Sequence, residues 1–135
     1  MKQELQDKIF EDFPELFELR QPKEGERLVA PICFGIECGN GWYDLIYNLC
    51  SQIACELKYN QKGAKVQIVQ VKEKFGGLRF YTSGATVEIH GMIRVAETMS
   101  YKICDVCGNK GENRNNRGWY ETTCEEHKTK EITKK

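Results

Sequence analysis

Net charge is the first thing this chain lacks: twenty Lys and Arg residues are offset by twenty Asp and Glu. That balance argues against a protein that holds duplex DNA by general phosphate neutralisation, because such domains are usually basic. Long apolar runs are missing too, and nothing approaches the roughly 20 residues that cross a bilayer. The opening MKQELQDKIF is charged and amphipathic rather than a secretion signal, so the expectation is a cytoplasmic protein with no membrane partner. Histidine is limited to His90 and His127, which leaves little material for general acid–base chemistry. Neither a P-loop nor a GxGxxG occurs. No nucleophile–base pair is evident, and the sequence favours a non-enzymatic protein.

A chain of 135 residues supports one core rather than two. Leu5, Ile9, Phe10 and Phe13 recur at helical intervals before Pro14, which predicts an amphipathic helix over 3–13 with an acidic polar face. Pro and Gly punctuate residues 14–40, which read as a long connection with one short strand near 27–32. Trp42, Leu45, Ile46, Leu49, Ile53 and Leu57 form the stripe of a central helix over 41–59, with Asn40 as its candidate cap. Residues 64–82 turn to β-type composition around Gly76-Gly77 and predict a hairpin. Ile89, Met92, Ile93, Ala96 and Met99 then predict a third helix over 86–101, capped by Ser83 or Thr86. The fold class is α+β, a small antiparallel sheet packed with two or three helices. A helical and hairpin core over 1–101 carries a zinc knuckle of treble-clef or zinc-ribbon type and a Lys-rich tail over 102–135, the two packed as one unit.

Seven cysteines are an odd set, and with no secretion signal a disulfide framework is a poor reading. The spacing points to metal. Cys104-Asp-Val-Cys107-Gly108 and Cys124-Glu-Glu-His127 are separated so that sixteen residues lie between Cys107 and Cys124. Three thiolates and an imidazole at these intervals match closed tetrahedral Zn²⁺, which is structural because no coordination position stays open. Gly108 relieves the bend after Cys107, a strand leads into Cys124, and a helix start brings His127 round beside it. Nucleobase deaminases need an HxE ahead of their CxxC, and only His90-Gly91-Met92 is present there. Cys33, Cys38, Cys50 and Cys55 offer either a second metal site or buried thiols, with buried thiols favoured.

Charge is unevenly placed along the chain. Residues 1–26 hold four basic and eight acidic side chains, whereas residues 58–80 hold six basic ones against Glu73 alone. With Gly76-Gly77 as the turn, Lys74 faces Arg79 and Lys72 faces Tyr81. Val69, Val71, Phe75, Leu78 and Phe80 then share an apolar surface, opposite a cationic one of Lys72, Lys74, Arg79 and Tyr81. Glu73 falls on the apolar side in this register, so it lies at a rim or the turn is shifted by one residue. Like charges opposed across strands repel, and a bridging anion would recover that loss. Lys72, Lys74, Gly76, Gly77, Arg79 and Tyr81 are therefore the candidate binding residues for a phosphate-bearing nucleotide-type small molecule, with Trp42 or Trp119 as further stacking surfaces. The plainer reading is a solvated face whose lysines protect a sheet edge. Two other partners stay open. One is nucleic acid, through the same face with Lys110, Arg114, Arg117 and the tail; the other is a host protein, through the acidic first helix. A second copy of the chain is also left open.

The ordered set ECGNGWYDLI (37–46), VKEKFGGLRFY (71–81), CDVCG (104–108) and WYETTCEEH (119–127) resembles a family of small, mostly uncharacterised bacteriophage and prophage proteins. The resemblance covers roughly residues 30–128. It implies a viral protein acting in a host bacterial cytoplasm, and a counter-defence role such as sequestering a nucleotide-derived signal or binding a host protein. It supplies no catalytic residue.

Overall fold

The computed structural model describes residues 1–22, 24–27 and 30–129. Helix α1 (Gln3–Asp12) forms because Gln6, Ile9 and Phe10 recur on one face, and all three are buried. Pro14 ends it and opens the first of two short 3-10 turns, Pro14–Leu16 and Glu18–Arg20, which sink Leu16 and Phe17 into the core. The strand expected near 27–32 is not seen in its described part: Pro31–Phe34 is a 3-10 turn with Pro at its start, and Leu28 and Val29 lie outside the described residues.

Three strands follow in the order β1-β2-β3: β1 (Ile36–Glu37), β2 (Gln67–Lys74) and β3 (Gly77–Ser83). The hairpin β2–β3 is antiparallel as expected, but the short β1 adds to β2 in parallel, placing Ile36 beside Val71 and Glu37 beside Lys72. Helices α2 (Tyr43–Tyr59) and α3 (Val87–Ser100) complete the core, which gathers Trp42, Ile46, Ile53, Ile68, Val71, Leu78, Phe80, Ile89 and Ile93. Burying each large apolar side chain stabilises the fold by about 1.5–3 kcal/mol. The elements make the molecule an α+β fold. Thr86 caps α3, its hydroxyl accepting the Ile89 amide at 3.4 Å. Asn40 does not cap α2. Its side chain instead accepts the Lys2 amide at 2.7 Å, and a 3-10 turn, Asn40–Trp42, leads into the helix.

Strand β3 is an edge, and α3 closes it. Ser100 Oγ accepts the Leu78 amide at 2.9 Å and Glu97 Oε2 accepts the Phe80 amide at 3.0 Å, so donors that would template another strand are already occupied. Between α2 and α3 runs a groove of about 590 Å³ lined chiefly by Leu45, Leu49, Met92, Val95, Ala96 and Met99. Met92, packed against the core, and Met99, exposed, both line this groove. Among the described residues no helix is long and apolar enough to cross a membrane.

Candidate functional site

The ends of the chain's two motifs are interlocked. Strands β4 (Glu112–Asn116) and β5 (Trp119–Thr123) pair antiparallel and carry the second half of the knuckle. The segment 113–117 is mostly strand, because Asn113 to Asn116 each face a β5 residue. After Cys124 there is a single turn, closed by the His127 amide on the Cys124 carbonyl at 3.2 Å, rather than the start of a helix.

This arrangement brings Cys104, Cys107, Cys124 and His127 together with all four ligand atoms within 4.8 Å of one another, so the cluster can hold a metal ion. Cys104 Sγ lies 3.8 Å and Cys124 Sγ 3.2 Å from His127 Nδ1, and the Cys107 and Cys124 sulfurs are 3.7 Å apart. Burial pushes the Cys104 thiol up, but the amides of Cys124, Cys107 and Val106 outweigh it and hold the group at about 6. Among the described residues this is the one such cluster. Of the other cysteines, Cys38 and Cys50 are buried as expected, whereas Cys33 is half-buried and Cys55 is exposed. Burial pushes Cys38 up to about 12 and Cys50 higher still, as suits inert thiols.

The GNGW segment clamps the knuckle. Asp105 accepts the Gly39 amide on its carboxylate at 2.7 Å and the Gly41 amide on its carbonyl at 2.8 Å, while Trp42 Nε1 donates to the Ile103 carbonyl at 2.8 Å. Trp42 is fully buried, which makes it a core residue and not a stacking surface. A side chain at Gly41 would place Cβ 2.0 Å from the Cys104 carbonyl oxygen, so close approach dictates glycine here.

The hairpin turn is shifted by one residue from Gly76-Gly77. Phe75 and Gly76 are its central pair, with φ 54° and 80°, and Lys74 pairs with Gly77. Positive φ at both central positions is the type I′ requirement. The predicted Lys74–Arg79 and Lys72–Tyr81 oppositions are corrected: Lys72 pairs with Arg79, Gln70 with Tyr81 and Glu73 with Leu78. Alternation still puts Lys72, Lys74, Arg79 and Tyr81 on one face. Val71, Leu78 and Phe80 are buried on the other, but Val69 sits at a register shift and Phe75 is exposed at the tip. Glu73 lies at the rim, where Oε2 accepts the Gly76 amide at 3.3 Å.

Two sets of contacts missed from sequence shape this face. Arg79 Nη1 donates to the Tyr101 hydroxyl and the Leu78 carbonyl, each at 3.1 Å, which fixes the guanidinium; the Tyr101 contact also raises its pKa. The β4–β5 hairpin grips the turn, with Thr122 Oγ1 donating to the Gly76 carbonyl at 2.5 Å and Asn113 Nδ2 to that of Phe75 at 3.3 Å. Glu73 keeps the side of Leu78 and Phe80 in this register too, so its rim position and not the shift accounts for it. Among the described residues Lys72, Lys74 and Arg79 make no ion pair within 4.0 Å. Arg114, by contrast, is held by Glu112 and Glu125 on the far side of the knuckle.

Comparison with models of known protein families, with curated proteins and with solved structures finds no match.

Proposed function

We propose that this chain is a zinc-stapled, non-enzymatic binding protein that takes a phosphate-bearing nucleotide-type ligand on the face of Lys72, Lys74, Arg79 and Tyr81. One observation carries the reading. Lys72 and Arg79 stand directly opposite across β2 and β3, and among the described residues no carboxylate within 4.0 Å neutralises either. Opposed like charges destabilise a sheet by up to about 1 kcal/mol, and a bridging phosphate would reverse the sign of that term. Arg79 has its Nη1 engaged, which leaves its remaining donors for a phosphate in a fixed orientation. Tyr81 is exposed beside it for stacking on a base.

The donor set supports zinc. A tetrahedron with Zn–S near 2.3 Å and Zn–N near 2.0–2.1 Å has S···S edges of about 3.8 Å and S···N edges of about 3.5 Å. Three of the separations in the cluster, 3.7, 3.8 and 3.2 Å, fall around those values. Four protein ligands leave no open position, so the ion's work is structural: it holds the hairpin that grips the binding face. The phage resemblance adds a setting, removal of a nucleotide-derived defence signal inside an infected bacterium.

Thermal denaturation of zinc-loaded protein against a panel of nucleotides and inorganic pyrophosphate tests the reading. A ligand present at about one hundred times its Kd stabilises by about 2.7 kcal/mol. The expected result is a rise in Tm that Lys72→Glu and Arg79→Glu each abolish. A Tm unmoved by every anion overturns the proposal.

A further inference from the structure

Phe75 is placed where folding alone gives no reason for a phenylalanine. It occupies the left-handed region at φ 54°, which costs a residue other than glycine roughly 1–2 kcal/mol, and its ring is 60% exposed. Both penalties are borne at a tip held rigid from the other hairpin through Asn113 and Thr122. That grip sets Phe75 against Tyr120 edge-to-face, with ring centroids 5.9 Å apart and planes at 83°. Tyr120 is itself exposed, and the Lys74 ammonium lies 5.5 Å from the Phe75 ring centre.

Charge around this pair is one-sided. Alternation along β4 and β5 puts Tyr120 on the same face as Asn113 and Asn115, whereas Glu112 and Glu121 project from the opposite face. Trp119, expected as a stacking surface, is exposed on that opposite face and takes no part. Glu73 lies across β2 from Lys74 and is turned to the Gly76 amide. A surface of exposed aromatic rings, amides and a lysine, adjoining the Lys72–Arg79 row, matches the pattern that binds unpaired bases. Rings accept base faces and cations track phosphates. Duplex DNA offers no free base face to such a platform.

We infer that the junction of the two hairpin tips is a base-stacking site for single-stranded nucleic acid, with Phe75 and Tyr120 as its platforms. The inference rests on the phosphate-binding face proposed above and names a polymeric strand as the ligand that uses both surfaces together.

The test is fluorescence anisotropy of zinc-loaded protein with a labelled oligothymidylate of about 12 nucleotides, within the span of small single-strand sites, beside the same strand annealed to its complement. The expected result is binding of the single strand and markedly weaker binding of the duplex. Phe75→Asn and Tyr120→Ala should each weaken the single strand at least about fivefold, the lower end of what removing one stacking ring costs. Asparagine tolerates positive φ, so Phe75→Asn should keep or raise Tm, and its loss of binding then has no origin in unfolding. Equal affinity for strand and duplex, or undiminished affinity in both variants, overturns the inference. So does failure of the strand to bind while Lys72- and Arg79-dependent nucleotide binding persists, an outcome that leaves the phosphate-binding face standing. If neither strand nor nucleotide binds, both readings fall.

Discussion

The Asp105 carboxylate accepts the Gly39 amide at 2.7 Å, so the residue that follows the first knuckle cysteine holds the segment that begins the central helix. Burial pushes that carboxyl above its ordinary value while the Gly39 amide pulls the other way. The Cys/His cluster and the core therefore meet through the Gly39–Trp42 segment, with Gly41 at the tightest point.

Replacing Gly41 by Ala should be costly out of proportion to one methyl group. Its Cβ would stand 2.0 Å from the Cys104 carbonyl oxygen and 2.6 Å from the Gly108 nitrogen, neither of which belongs to a flexible side chain. Expected is a loss of at least about 1–3 kcal/mol, the usual range for overpacking, together with weaker metal retention. Tm and metal content of the purified variant check both. Chelation of the wild type should reproduce the effect, lowering Tm and shifting the emission of buried Trp42 to the red. A metal-free protein with unchanged Tm would show that the clamp does not couple the two parts.

Closing of the β3 edge depends on Ser100, which is fully buried and bonded to the Leu78 amide. Ser100→Ala should cost about 1–3 kcal/mol, the range for stranding a buried donor, measured by denaturant unfolding. Glu97→Ala frees the next amide along, that of Phe80, at a less buried position. For that variant the larger expected change is self-association through the exposed strand edge, read by light scattering at rising protein concentration.

What was legible in sequence was whatever the chain specifies locally. Helical stripes were readable because Ile46, Leu49 and Ile53 repeat at the spacing that buries them, and the Cys/His cluster because its four residues come as two short pairs. The turn was not. Gly76-Gly77 and Phe75-Gly76 both supply glycine, and the choice between them is made by contacts from remote residues: Asn113 and Thr122 hold the Phe75 and Gly76 carbonyls, while Tyr101 packs so tightly on Gly77 that a Cβ would meet its ring at 2.3 Å. Strand β4 was hidden because Glu-Asn-Arg-Asn-Asn has no apolar alternation to report, and β1 because two residues carry no period.

Glu37 gives a direct handle on the binding face. It neighbours Lys72 in the register yet makes no ion pair within 4.0 Å among the described residues. A unit charge roughly 5 Å away in water contributes about 0.8 kcal/mol of repulsion to an incoming anion. Glu37→Gln should therefore tighten anion binding by about fourfold at low salt, with the gain shrinking as ionic strength rises. Titrations at two salt concentrations check this, and a variant that binds more weakly would place the anion elsewhere.

A pH-dependent element ties α1 to α2. The Tyr47 hydroxyl donates to Asp12 Oδ2 at 2.5 Å, and Lys8 pairs with the same carboxylate at 3.2 Å. Tyr47 first and Lys8 second hold the Asp12 carboxyl below its ordinary 3.8, and the Asp12 contact raises the Tyr47 hydroxyl above 10.0. A depressed carboxyl contributes stability that is present above its unfolded value and lost as pH falls through the folded one. A raised phenol contributes stability that is present below its unfolded value and lost as pH rises through the folded one. Both conditions are met between about pH 4 and 10. Tyr47→Phe keeps the ring that packs edge-on against Phe13 at 5.0 Å and removes only the hydroxyl. Its Tm should lie below that of the wild type by a small, constant amount across that window, with the two curves converging at either end. The difference stays small because the pair is solvent-exposed. A difference that persists unchanged in strong acid would assign the effect to packing and not to the hydrogen bond.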